Sequence, residues 1–173
     1  LAAACAFYYQ GVVLFDDIAD GELGPYCSGW PPGQAAHIAY SMAGALPLIC
    51  IEHLKCTDMI KQKIAQSFAQ AMWLTNYGQF LDITGHSVLM PSIDEVEKIS
   101  HYKSGVGNAH LTRAVACFLN LDDKTTAGWA NVTEVFWVAR QIASDAFDLW
   151  RKIPSTDLAS GKFTWPLACA ANS

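Results

Sequence analysis

Apolar and polar positions along the chain fall into long stretches of helical period separated by short Gly, Pro and Asp-rich breaks. Residues 1–15 carry no formal charge and run straight into Asp16, Asp17 and Asp20. Such a segment predicts one helix over 1–20, apolar nearly all round and therefore buried in a bundle. Residues 34–54 predict a second apolar helix, bent at Pro47. Its lone His37 reads as a satisfied core residue. From Thr57, a residue able to cap, Ile60, Ile64, Phe68, Met72 and Thr75 recur at near-helical spacing and predict a long helix ending in YGQFLDI, residues 77–83. Ser92 and Glu95 form a capping-box pattern that opens the next helix. Asn131 and Glu134 repeat that pattern and predict the start of a helix carrying Gln141, Asp145 and Asp148. Residues 21–33, 85–91 and 151–161 read as loops, and 121–128 as a polar turn whose Asp122 and Asp123 face solvent. No stretch alternates at period two and no internal repeat is present, so the predicted class is all-α, with 1–173 as a single helical domain.

The acidic positions add chemistry to this pattern. Asp16 and Asp20 are four apart, and Asp17 and Asp20 three apart, so all three sit on neighbouring parts of one helical face. Carboxylates this close repel each other unless a cation sits among them, and a hard divalent ion such as Mg²⁺ takes oxygen ligands while keeping sites open for water and phosphate. The bland alternative is a solvated helix end, although negative charge is unfavourable at the C-terminal end of the helix dipole. Gln141, Asp145 and Asp148 are spaced i, i+4, i+7 and share a face of their own helix. Two helices presenting such faces to each other would hold a diphosphate between them through bridging metal ions.

Taken together, these segments resemble the trans-isoprenyl diphosphate synthases of the polyprenyl synthetase family. LFDDIAD, residues 14–20, resembles the family's first aspartate-rich motif and QIASDAFD, residues 141–148, its second. YGQFLDI resembles a GQ-x-LD segment, HYKSG (101–105) a Lys-Thr-Gly segment, and GKFTWPL (161–167) a Gly-Lys-x-Thr-Leu-Pro segment. The resemblance implies a helical bundle around a central apolar cavity, with further helices before the first motif and after the last. It also implies Mg²⁺ held by Asp16, Asp17, Asp20, Asp145 and Asp148, and diphosphate contacts from Gln79, Lys103, Gln141 and Lys162. Asp82 is expected to stabilise neighbouring structure. Val12 and Tyr8, one and two turns before Asp16, would line the pocket for the growing chain, with Gly11 and Val12 leaving room near the motif and Tyr8, or Phe7, as a floor; ordinary core packing is the alternative for these aromatics. The implied substrates are allylic and isopentenyl diphosphates, and the implied assembly is a homodimer or a heterodimer with a related subunit. Two departures stand out: Ser144 occupies the place of the second motif's first aspartate, and 21–33 contains no arginine.

Composition narrows the remaining classes. A net charge of −5 with 16% charged residues offers no basic patch for nucleic acid or an acidic membrane. The uncharged runs are broken by Gln10, His37 and prolines, so core helices rather than membrane spans are expected. Six cysteines without Cys-x-x-Cys spacing read as small buried residues of a cytoplasmic protein. No Ser-His-Asp or Cys-His arrangement emerges, and prenyl transfer needs none. The alternatives are a non-catalytic subunit or scaffold on the same fold, a terpene cyclase, or a peptide prenyltransferase. The Asn-x-x-x-Ser-x-x-x-Glu pattern that cyclases carry is absent.

Overall fold

The computed structural model describes residues 1–173 except 22, 25, 26, 86–91, 151–160, 163 and 173. The loops expected at 85–91 and 151–161 therefore lie outside the described residues, apart from Gly85 and Gly161. Every regular element among the described residues is helical: α1 (Ala2–Asp20), α2 (Pro32–Tyr40), α3 (Leu46–Glu52), α4 (Asp58–Gly85), α5 (Ile93–Ser100), α6 (Gly107–Phe118), α7 (Asp123–Leu149) and α8 (Trp165–Ala171). Wide π-helical turns, Ser41–Ala45 and His101–Val106, join α2 to α3 and α5 to α6. The chain divides into two compact units. One comprises Leu1–Met72 with His110–Thr126, the other Trp73–Ala109 with Ala127–Ser173.

In the first unit, α1 ends where Gly21 adopts φ 72°, its N–H bonding the carbonyls of Asp17 and Ile18. Glycine meets no Cβ penalty in that left-handed conformation, which satisfies carbonyls the helix would leave orphaned. One stripe of α1, Ala4, Tyr8, Gly11 and Leu14, is buried, while Ala2, Ala3 and Ala6 are exposed. The all-round burial expected from composition is thus corrected: alanine is apolar enough to be read as core but loses little by staying in water. Gly11 does not leave room either. It lies against the backbone of Ala39 and Ala43, and an added Cβ would stand 2.8 Å from the Ala39 carbonyl oxygen. Ala4, Tyr8, Ile51, Ile64, Phe68, Ala71 and Ala114 form the core and tie α1, α3, α4 and α6 together. His37 is exposed, not a core residue. The run Pro32–Glu52 is long and apolar enough to cross a membrane by length and composition, and it is only partly buried, with Ile38, Tyr40, Leu48 and Ile49 exposed. The six cysteines are half-buried rather than fully buried. Burial pushes the Cys5 thiol above its usual value, which keeps it a poor nucleophile.

Local caps follow the sequence closely at some helix starts. Thr57 accepts from the Ile60 N–H at 3.4 Å, and Ser92 and Glu95 bond reciprocally as a capping box. The pattern at Asn131 and Glu134 does not open a helix, because α7 is already two turns old there. Its start is set by Asp122, whose carboxylate accepts from the Thr125 N–H at 2.9 Å and the Thr125 hydroxyl at 2.7 Å. Those bonds hold the Asp122 carboxyl below its ordinary value, the Thr125 backbone N–H contributing most. A carboxylate with a depressed folded pKa stabilises above its unfolded pKa and loses that contribution as pH falls through the folded one. Asp122→Ala is therefore expected to lower Tm at neutral pH, with the gap to the parent protein closing once pH drops below the usual carboxylate range. Gly128, inside α7, has nothing within 4 Å of an added Cβ. Gly128→Ala is expected to stabilise by about 0.5–1 kcal/mol in denaturant unfolding, the helix-propensity gain with no steric cost.

Candidate functional site

The richest polar cluster lies in the second unit, where α4, the His101–Val106 turn and α7 converge. Gly78 makes the first approach possible. Its missing Cβ is replaced by the backbone of Tyr102 and Lys103, an added Cβ falling 2.5 Å from the Tyr102 carbonyl carbon and closer still to the Lys103 nitrogen. The Tyr77 and Tyr102 rings meet edge to face at 5.1 Å beside this crossing. On the other side of the turn, Gly105 sits against α7, with Val138 2.8 Å from its would-be Cβ. His101 and Glu134 approach to 3.2 Å across the same seam.

Held between two helices, the turn delivers Lys103 and Ser104 to partners far away in sequence. The Lys103 ammonium donates to Asp82 Oδ2 at 2.8 Å, and Lys162 Nζ stands 3.9 Å from the same oxygen. These groups are well covered, with side-chain exposures of 13% for Lys103, 10% for Lys162 and 17% for Asp82. Lys103 is thus no solvated surface lysine. Ser104 donates to Gln141 Oε1 at 2.7 Å, and Gln141 Nε2 donates to Asp145 Oδ1 at 2.9 Å. One connected run of contacts therefore joins Asp82, the lysine turn and the acidic face of α7.

Near Asp82 and Lys162 in sequence, two buried polar atoms have no hydrogen-bond partner among the described residues: Gln79 Nε2 and Thr164 Oγ1. Leaving such a group unmade costs about 1–3 kcal/mol, so each is an opening for a ligand oxygen. Thr164 was not singled out from the sequence, although it stands in GKFTWPL. Asp148 is half-buried one turn past Asp145, and Ser144 is exposed on α7. The missing carboxylate of the second motif falls at a solvent-facing position, whereas the two that remain are half-buried.

In the first unit Asp16 and Asp17 are half-buried at the end of α1 and Asp20 is exposed. The last turn of α1 contains no basic residue. Val12 and Tyr8 belong to the core cluster, Tyr8 packing edge to face on Phe68 at 5.9 Å. Among the described residues no set of three or more Asp, Glu, His or Cys side chains is gathered as a ready-made metal cage. This is compatible with Mg²⁺, which usually binds one or two carboxylates plus substrate phosphates and retains water, rather than filling an all-protein cage. Half-buried carboxylates at a helix end are oxygen donors of the kind that chemistry uses.

Residues 32–173 match the family model described as Polyprenyl synthetase. The chain belongs to the polyprenyl synthetase family. The matched span holds 77–83, 101–105, 141–148 and 161–167, and it begins after the first aspartate-rich stretch. No curated protein sequence matches the chain. Among solved structures, a geranylgeranyl pyrophosphate synthase is similar at TM-score 0.83 and 16% identity, over 95% of this chain and 53% of its own. A geranylgeranyl pyrophosphate synthetase from the archaeon Geoglobus acetivorans is similar at TM-score 0.86 and 17% identity, over 98% and 56%. A polyprenyl synthetase from Streptomyces coelicolor A3(2) gives 0.80 and 20%, over 98% and 52%. This polyprenyl synthetase-like chain therefore spans just over half the length of each, shares their helical fold, and includes the first acidic stretch within the matched fold.

Proposed function

We propose that this chain carries the reaction centre of a prenyltransferase that condenses an allylic diphosphate with isopentenyl diphosphate to give a longer polyprenyl diphosphate. The observation that carries this proposal is the cradle around Asp82, where two well-covered lysines meet, with unpartnered Gln79 Nε2 and Thr164 Oγ1 near them in sequence. Ammonium groups and unpartnered neutral donors suit diphosphate oxygens, and these lie on the segments that match the family. Lys103 and Lys162 would steady the leaving group, while Gln79 and Thr164 bond its oxygens. Asp16, Asp17 and Asp20 in the first unit, and Asp145 and Asp148 in the second, are the carboxylates that the family resemblance would assign to Mg²⁺, with Gln141 bonded to Asp145. When bound, Mg²⁺ supplies Lewis-acid stabilisation of the charge that develops on the diphosphate. The allylic carbon–oxygen bond breaks with its electron pair leaving on diphosphate. The isopentenyl double bond then attacks the allylic cation, and a proton passes to the released diphosphate. Val12 and Tyr8 are the residues that the family resemblance would place along the growing chain, where an apolar lining keeps water from a cation.

The deciding assay follows diphosphate release by the full-length protein from an allylic substrate, with and without isopentenyl diphosphate and Mg²⁺. Release only when all three are present is the expected result. Release without isopentenyl diphosphate would indicate cyclisation, and no release would leave a non-catalytic subunit. Tyr8→Ala is expected to shift product to longer chains and to cost about 3 kcal/mol of stability, the usual loss for truncating a buried aromatic. An unchanged product with lowered stability would make Tyr8 a core residue alone.

A further inference from the structure

The first unit contains a cleft of about 450 Å³ between the first half of α4, the end of α6 and the start of α7. Arg113 lies in it half-buried, and among the described residues it has no hydrogen-bond or ion-pair partner. Other partly buried cations are engaged: Lys61 bonds the Glu52 carbonyl at 2.6 Å, and Lys103 and Lys162 meet at Asp82. A guanidinium partly withdrawn from water with nothing to bond is the kind of group a ligand completes. Lys63, Gln66 and Gln70 line the same cleft from one face of α4, and Asp123 is the one carboxylate in the lining. Two cations and one carboxylate therefore line the cleft, in a protein whose net charge is −5. A bare phosphate would fill little of this volume, and Met59, Ile60 and Leu121 supply apolar surface for something larger.

We propose that this cleft binds a small phosphorylated organic molecule, its phosphate on Arg113 and Lys63 and its carbon body on Met59 and Leu121. The site shares no residue with the proposed reaction centre and does not depend on its chemistry.

The test is a titration of the full-length protein with phenyl phosphate in EDTA, read from the methionine methyl NMR signals, of which the chain has 4. The Met59 methyl is expected to shift while that of Met42 stays still. Arg113→Met should weaken binding by about tenfold or more, the loss typical of a charge-assisted hydrogen bond, with the fold checked by circular dichroism. Arg113→Lys should recover part of it, since an ammonium keeps the charge without the fork. Lys103→Met should bind like the parent protein. An unmoved Met59 signal, or an Arg113→Met variant that titrates like the parent, would overturn the proposal. Inorganic phosphate binding as tightly as phenyl phosphate would overturn the organic ligand. A loss in Lys103→Met alone would return the binding to the reaction centre.

Discussion

Gly78→Ala is expected to destabilise the protein by about 2 kcal/mol or more in denaturant unfolding, the reverse of what helix propensity predicts. Propensity alone favours alanine by about 1 kcal/mol within a helix. Against this stands the missing space: the new methyl would fall 2.5 Å from the Tyr102 carbonyl carbon and 2.6 Å from the Lys103 Cα. Overpacking costs about 1–3 kcal/mol where side chains can adjust, and here the neighbours are backbone atoms of a turn already held by α7 on its far side. The only relief is to move the turn off α4, which draws Lys103 from Asp82. Activity should therefore fall together with stability. Equal or greater stability in Gly78→Ala would show that the crossing is looser than these distances imply.

Asp82→Ala carries the second large effect. It removes the oxygen on which Lys103 and Lys162 converge at 2.8 and 3.9 Å, and both ammonium groups are too well covered for water to replace it freely. Breaking a buried pair by deleting one partner costs about 3–5 kcal/mol, and a side-chain exposure of 17% places Asp82 near the lower figure. With the two cations no longer held at one oxygen, kcat/KM for the proposed prenyl transfer should drop by about a hundredfold, the penalty typical of misplacing a group by an ångström. Asp82→Asn keeps the shape and one acceptor and should lose less on both counts. A change below about 0.5 kcal/mol in Asp82→Ala would mark an ordinary surface charge.

Several features were legible in the chain because their causes are local. The end of α1 at Gly21, the Thr57 cap and the Ser92–Glu95 box each involve residues within four positions of each other. The same locality explains one misreading. Asn131 and Glu134 have cap spacing, but a cap needs a chain that leaves the helix on its N-terminal side, and here Asp122 has already begun it. Burial was legible only where the stripe was made of large residues, as with Ile64 and Phe68; alanines and His37 gave no reliable sign of side.

Spacing and residue type were enough to make the chain helical, to lay its carboxylates along helix faces and to suggest its family, because helical period and capping depend on neighbours a few residues away. The joining of Lys103 to Asp82 across 21 positions and of Ser104 to Gln141 across 37, the closed approaches at Gly11 and Gly78, and the cleft at Arg113 came only with the folded chain. Each depends on which helices cross and how near, and crossing distance is set by small residues whose effect appears only when a second backbone occupies the space they leave.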